Sequence, residues 1–144
     1  MKEIYSNKGI FLMQGNAVME NAHSSSRSET FIKIDGSKVA NATDLMRAIS
    51  EAMDFPDYFG WNWDALEECL SDLSWLSATA YIFRWDLASN LLINSPKDFF
   101  IALEIFASIS QSWKDRGKRF QLFIADDYIF TTAQKLSALL AFDP

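Results

Sequence analysis

The residues with the strongest chemical character lie together in the segment from 57 to 73 (DYFGWNWDALEECLSDL). Read at helical period, its apolar side chains fall on one face, and the opposite face is acidic and hydroxylic. That opposite face holds Asp64, Glu67, Glu68, Ser71 and Asp72. Because no Lys or Arg in the segment offsets the repulsion between the carboxylates, the pattern predicts a surface that recognises a cationic cleft electrostatically.

Aromatic residues lead into this acidic helix. Tyr58, Phe59 and Trp61 surround Gly60, which we interpret as a turn residue with a positive φ angle. Asn62 is a good N-cap for the helix that follows. Aromatic side chains beside charge of one sign are typical of protein–protein interfaces. The alternative interpretation is the solvated face of an ordinary amphipathic helix, which needs no partner.

The charge of the whole chain also favours a basic partner. Its 144 residues include thirteen Lys and Arg against nineteen Asp and Glu, which gives a net charge of −6. Since a negative field repels phosphate backbones, we expect no direct binding to nucleic acid. No apolar run approaches the roughly 20 residues of a membrane span, so we expect no membrane association. A single cysteine suits a reducing compartment, which predicts a cytoplasmic protein.

Catalysis by a side-chain nucleophile has little support in the sequence. The single histidine, His23, lies in a serine-rich stretch, so a Ser-His or Cys-His pair is hard to assemble. Cys69 falls on the apolar face of its helix, where a buried structural thiol is expected. There is no GxGxxG, Walker or HExxH motif, and we predict no catalytic residue, cofactor or metal.

An alternative function rests on three aspartates. Asp35, Asp86 and Asp126 each follow a predicted strand, and the carboxyl ends of parallel strands meet at one edge of a sheet. Carboxylates gathered there can hold Mg²⁺, which predicts a Mg²⁺-dependent phosphoryl-transfer enzyme. The competing interpretation is that these aspartates are ordinary loop-start residues.

The elements that hold the acidic segment alternate between strands and helices. Strands are predicted at residues 31–35, 79–85 and 120–125, and helices at 41–54, 62–76, 95–116 and 131–140. The clearest helix start is a capping box with Ser95 as the cap, Pro96 in the first turn and Asp98 after it. This order predicts an α/β fold with a small three-stranded parallel sheet and crossover helices packed on it.

The first thirty residues differ in composition from the rest. Residues 3–13 are predicted to form a hairpin that turns at Asn7, Lys8 and Gly9. Residues 21–29 (NAHSSSRSE) are polar and serine-rich, which is typical of a linker. We therefore predict an N-terminal extension over residues 1–29 and a compact domain over 30–144.

Residues 56–70 (PDYFGWNWDALEECL) resemble the signature of barstar-type ribonuclease inhibitors. In that family a Pro-acid-aromatic-aromatic-Gly loop leads into an Asn-x-Asp-Ala-Leu helix, and Gly60, Asn62 and Asp64 fall in register. The order of predicted elements over residues 31–126 is also similar to the family's. The resemblance implies a barstar-like fold and a non-enzymatic immunity protein of a toxin–antitoxin pair. Such a protein is intracellular, and it binds a basic secreted ribonuclease and blocks its active site.

The resemblance also implies roles for single residues. Glu68 matches the acid that enters the enzyme's phosphate pocket and pairs with its arginine and histidine groups. Tyr58 matches the aromatic residue that packs on the enzyme's catalytic histidine. Asn62 and Asp64 match contacts of the loop and helix start, and Ser71 matches a hydroxyl contact. The predicted partner-binding set is Tyr58, Phe59, Gly60, Trp61, Asn62, Asp64, Glu67, Glu68, Ser71 and Asp72, on a chain that we expect to be monomeric.

Four positions depart from the family pattern. Glu68 is one methylene longer than the usual aspartate, and Glu67 and Leu73 stand where aromatic residues are expected. A further acidic contact falls near Ser108, where this chain has no acid. The partner is therefore the family's usual nuclease, a different nuclease or another basic toxin. A further alternative is an acidic adaptor for a basic protein without nuclease activity.

Overall fold

The computed structural model describes residues 2–5, 8–19 and 29–140, with side chains described for 8–19 and 29–135. The strands in these ranges are β1 (Lys2–Tyr5), β2 (Ile10–Met13), β3 (Glu29–Asp35), β4 (Ala80–Asp86) and β5 (Arg119–Ala125). The helices are α1 (Ala42–Ala52), α2 (Trp63–Asp72), α3 (Ser89–Asn94), α4 (Pro96–Asp115) and α5 (Asp127–Leu140). No helix in the described ranges has the length and apolar character needed to cross a membrane.

All five strands form one sheet in the order β1-β2-β5-β4-β3. Strands β2, β5, β4 and β3 pair in parallel, and β1 pairs antiparallel with β2 at one edge. The predicted α/β class with helices on a parallel sheet is confirmed, but the sheet is larger than the three strands predicted. Ile10 and Leu12 are fully buried beside β5, whose backbone groups would otherwise lie at an open edge.

The central strand β4 shows why the sheet forms where it does. Its sequence AYIFRWD is almost continuously buried, as expected for a parallel strand covered on both faces. Tyr81, Phe83 and Trp85 alternate along it and are fully buried in the main core. Arg84 points to the other face, where its guanidinium donates to the carbonyl oxygens of Gly15 and Ala17. These hydrogen bonds hold residues 15–17, which follow β2, against the sheet.

The helix starts follow side-chain chemistry, with one difference from expectation. Asn41 caps α1, because its Oδ1 accepts a hydrogen bond from the Asp44 amide at 2.8 Å. Ser95 does not cap α4 in the predicted way. Its hydroxyl donates to Asp98 at 2.7 Å, and the same carboxylate oxygen accepts from the Ala42 amide at 3.2 Å. Asp98 thus joins the start of α4 to the start of α1.

Two predicted features of the N-terminal region have different outcomes. Strands β1 and β2 form the antiparallel pair expected of a hairpin. Of the predicted serine-rich linker, only Glu29 is described, where it begins β3, and the remaining residues, including His23, lie outside the described ranges. The division into an extension and a domain at residue 30 stays a prediction.

Candidate partner-binding site

Helix α2 carries the predicted site and is fixed at both ends. Asn62 caps its N-terminus, where Oδ1 accepts from the Ala65 amide at 2.8 Å. At the other end Leu73 adopts a left-handed conformation with φ of 46°, which stops the helix four residues before the predicted end at residue 76. Glycine would be favoured at such an angle, but the Leu73 side chain is fully buried in the core. Side-chain burial therefore determines where α2 ends.

The loop before α2 is held by packed aromatic rings. Phe59 is buried, and its ring centroid lies 5.0 Å from Phe55 and 5.0 Å from Trp61. The indole of Trp75 donates to the Met53 carbonyl at 2.9 Å. Phe59 was predicted to belong to the binding surface, and the structure places it underneath, where it supports the exposed residues on either side.

The turn itself differs from the sequence interpretation. Trp61 has the positive φ angle, 56°, and Gly60 does not. A Cβ added to Gly60 would lie 3.4 Å from the Ala65 Cβ, which is an ordinary contact. The contact between the rings of Trp61 and Phe59 helps to compensate for the strained backbone at residue 61.

The exposed part of the site consists of two aromatic residues and the acids of α2. Tyr58 is 68% exposed and Trp61 is 52% exposed. The pKa of the Tyr58 phenol is raised above its usual value of 10.0, first by partial loss of hydration and then by the negative charges of Asp72 and Glu68. Tyr58 therefore lies close enough to Asp72 and Glu68 for their charges to act on its phenol.

The carboxylates of α2 differ in their internal contacts. Glu67 is half-buried and accepts a hydrogen bond from the Ser108 hydroxyl of α4 at 3.2 Å. Asp72 accepts one from the Ser74 hydroxyl at 3.3 Å. Asp64 and Glu68 are exposed, and neither makes a hydrogen bond or ion pair with any residue that the structure describes. The ion pairs between described residues all lie outside the acidic face. They are Arg47–Asp44, Arg84–Asp86 and Arg119–Glu29.

Helix α4 supplies contacts that the sequence did not predict. The Trp113 indole donates to the Leu70 carbonyl, and the Arg116 guanidinium donates to the Ser71 carbonyl, each at 2.8 Å. Arg116 also lies over the Trp113 ring, with Cζ 3.7 Å from its centroid. Arg116 directly follows α4 as its C-cap residue. Its role here depends on the packing of α4 on α2.

Two further side chains of α2 and its cap are out of reach of a partner. Cys69 and Leu73 are both buried. Burial raises the pKa of the Cys69 thiol, and the negative charges of Glu68 and Asp72 raise it further. The thiol therefore stays protonated and unreactive at neutral pH.

The three strand-end aspartates do not form a metal site. Buried Asp126 accepts from the amides of Ser89 and Ile129 at 3.0 and 2.9 Å, which caps α5 and fixes α3. Asp86 pairs with Arg84, and Asp35 accepts from the amide and hydroxyl of Ser37. Over the described residues, no three Asp, Glu, His or Cys side chains are placed to hold a metal ion. Asp35, Asp86 and Asp126 thus make separate structural contacts and do not form the Mg²⁺ site that the alternative requires.

Comparison with known proteins identifies the family of the chain. Residues 29–125 match the family described as barstar (barnase inhibitor). The chain belongs to the barstar family. It is also 31% identical over 87 residues to a protein of Bacillus subtilis (strain 168) named "Putative ribonuclease inhibitor YrdF", an alignment that covers 60% of this chain and 92% of that protein. The barstar match includes α2, the loop before it and α4, but ends before α5 and does not include β1 and β2.

Proposed function

We propose that this barstar-family protein inhibits a basic ribonuclease by covering its active site with α2 and the loop before it. The observation that carries the proposal is the exposure of the Glu68 side chain on α2. Its carboxylate is exposed in the middle of the acidic face and has no hydrogen-bond or ion-pair partner among the described residues. Glu68 enters the pocket where a substrate phosphate would bind, and pairs there with the enzyme's cationic groups.

Preorganisation makes such an acid effective. Asn62 fixes the start of α2, and Trp113 and Arg116 fix its last carbonyls. Since the helix is already ordered, binding costs little further conformational entropy. Tyr58 provides an aromatic contact beside Glu68, and Asp64 and Asp72 accelerate encounter with a positive surface.

The proposal also specifies where and how the protein acts. It is an immunity protein that works in the cytoplasm of the cell that secretes the nuclease, and it acts by one-to-one binding rather than by catalysis. The printed name of the Bacillus subtilis relative and the description of the family support inhibition of a ribonuclease. The acidic face supports a basic enzyme as the partner.

The test is a titration of RNA cleavage by barnase, and by basic secreted ribonucleases encoded near the gene, with the purified full chain. We expect inhibition that is complete at one equivalent, weaker at high salt and strongly reduced by Glu68→Ala. Glu51→Ala is the matched control, because it removes an exposed acid from α1, outside the acidic face. Binding to a basic protein without any loss of ribonuclease activity would instead support the adaptor function and contradict the proposal.

A further inference from the structure

The outer face of α4 carries a groove of about 520 Å³ beside the acidic face of α2. Phe100, Leu103 and Ala107 form its apolar part. Phe100 is 53% exposed, and its ring meets the ring of buried Phe99 edge-on at a centroid distance of 5.4 Å. The groove therefore presents an aromatic ring that is fixed in position and accessible to a partner.

The charged residues that line the groove are Glu104 and Lys8. Glu104 is exposed and has no hydrogen-bond or ion-pair partner among the described residues. One turn later Ser108 lines the same groove, and its hydroxyl donates to Glu67 of α2. Lys8 lies in the turn before β2. Through Ser108 and Glu67 the groove and the acidic face form one continuous surface.

The chemistry of the groove matches an arginine side chain. A guanidinium stacks on an aromatic ring and pairs with a carboxylate, while its aliphatic stem lies on apolar surface. Phe100, Glu104 and the partly exposed Ala107 provide these three kinds of contact. The same helix already holds one arginine in a similar way, since Arg116 lies over the ring of Trp113.

We propose that the groove receives an arginine of the bound ribonuclease, one that lies outside the enzyme's active site. This inference rests on the function proposed above. A standard interface covers about 800 Å² per partner, equivalent to a disc roughly 32 Å across. Since packed helices lie about 8–10 Å apart, an enzyme centred on Glu68 also covers the exposed side of α4. The exposed carboxylate of Glu104 and the net charge of −6 favour a cationic side chain there.

The experiment measures the dissociation constant of the full chain for the ribonucleases named above, with barnase first. Phe100→Ala and Glu104→Gln should each weaken binding about 2–10-fold. Their combination should weaken it by less than the product of the two effects, because both side chains contact the same arginine. Glu51→Gln, which makes the same charge change on α1, should leave the affinity unchanged.

Arginine-to-alanine variants of the ribonuclease then identify the inserted side chain. The ribonuclease variant that lacks the inserted arginine should bind the unaltered inhibitor chain and its Phe100→Ala variant with equal affinity. Unchanged affinity in both groove variants, together with strong loss in Glu68→Ala, would overturn the groove proposal and leave the inhibitor function standing. Failure of the unaltered chain to bind any of the ribonucleases would overturn both. Glu104→Gln changes an exposed side chain that has no internal partner, so its result does not depend on a change in folding.

Discussion

The indole nitrogen of Trp113 donates a hydrogen bond of 2.8 Å to the main-chain carbonyl of Leu70. The two residues lie on different helices, and the acceptor is in the last turn of α2, where carbonyls have no partner within their own helix. A side chain of α4 therefore completes the helix that carries the candidate site.

Replacing Trp113 with Phe removes this donor and leaves a buried carbonyl unsatisfied. We expect the free energy of unfolding, measured by urea denaturation, to fall by about 1–3 kcal/mol. Trp61→Phe is the control, since Trp61 is half exposed and its indole makes no hydrogen bond with the described residues. Equal stability of the two variants would contradict a structural role for the Trp113 contact.

Asn62→Ala should destabilise the chain by about 1 kcal/mol, because the Ala65 amide loses the side chain that caps α2. Asn62→Ser retains an acceptor at the same place and should recover most of the loss. Thermal unfolding of the two variants, followed by circular dichroism, measures the difference. A serine variant as unstable as the alanine variant would argue against the cap.

Glu68 should mainly affect the rate at which the complex dissociates, and Asp72 the rate at which it forms. If Glu68 pairs with desolvated charges of the enzyme, Glu68→Ala should weaken binding by about 2–5 kcal/mol, mainly through faster dissociation. Asp72 lies at the end of the helix, and Asp72→Ala should mainly slow association, with an effect that disappears at high salt. Stopped-flow association and dissociation measurements separate the two. Effects below 1 kcal/mol from both would contradict this assignment.

The phenol of Tyr58 should titrate above its usual pKa of 10.0, because partial loss of hydration and the charges of Asp72 and Glu68 favour its neutral form. Because the pKa of Tyr58 is raised in the folded state, the neutral phenol contributes to the free energy of unfolding below about pH 10. That contribution is lost as the pH rises through the folded-state value.

The difference in ultraviolet absorbance between the chain and Tyr58→Phe, recorded against pH, reports this titration. Asp72→Asn should move the pKa of Tyr58 back toward 10.0, whereas Asp64→Asn should not move it. A Tyr58 pKa that is insensitive to Asp72→Asn would mean that the loop does not hold the phenol near the end of α2.

Leu12 of β2 should matter for stability as much as Leu122 of β5, although β2 lies outside the part of the chain that matches the family. Each alanine substitution should cost about 2–5 kcal/mol, because both side chains are 1% exposed in the same core. Val18→Ala, at a position 82% exposed, is the control and should be nearly neutral. A negligible effect of Leu12→Ala would show that β2 is not part of the cooperative core.

The hydrophobic pattern predicts strands β3, β4 and β5 and most of the helices, because in each of them burial follows the period of the element. It misses α3, which is six residues long and too short to show a period. This helix is held by a tertiary contact: the side-chain Nδ2 of Asn90 donates to the carbonyls of Gly36 and Val39 at 2.9 and 3.1 Å. The place of β2 in the sheet depends on its pairing with distant β5, which local patterns do not contain.

The acidic face of α2 can be read from sequence because it is a property of one helix. The contact of Ser108 with Glu67 and that of Arg116 with Ser71 depend on how two helices pack, and no local signal encodes them. The positive φ angle of Trp61 could not be inferred either, since the neighbouring glycine is the residue that usually adopts it.

The acidic face has a consequence for the amount of protein in a cell. No residue of α2 is cationic, and Asp72 adds negative charge at the end of the helix where the dipole is already negative. The basic ribonuclease proposed as the partner would relieve this repulsion and would also stabilise the folded chain by mass action. Copies without a partner would unfold more often and be degraded first, so the cellular level of the inhibitor would follow the level of its enzyme.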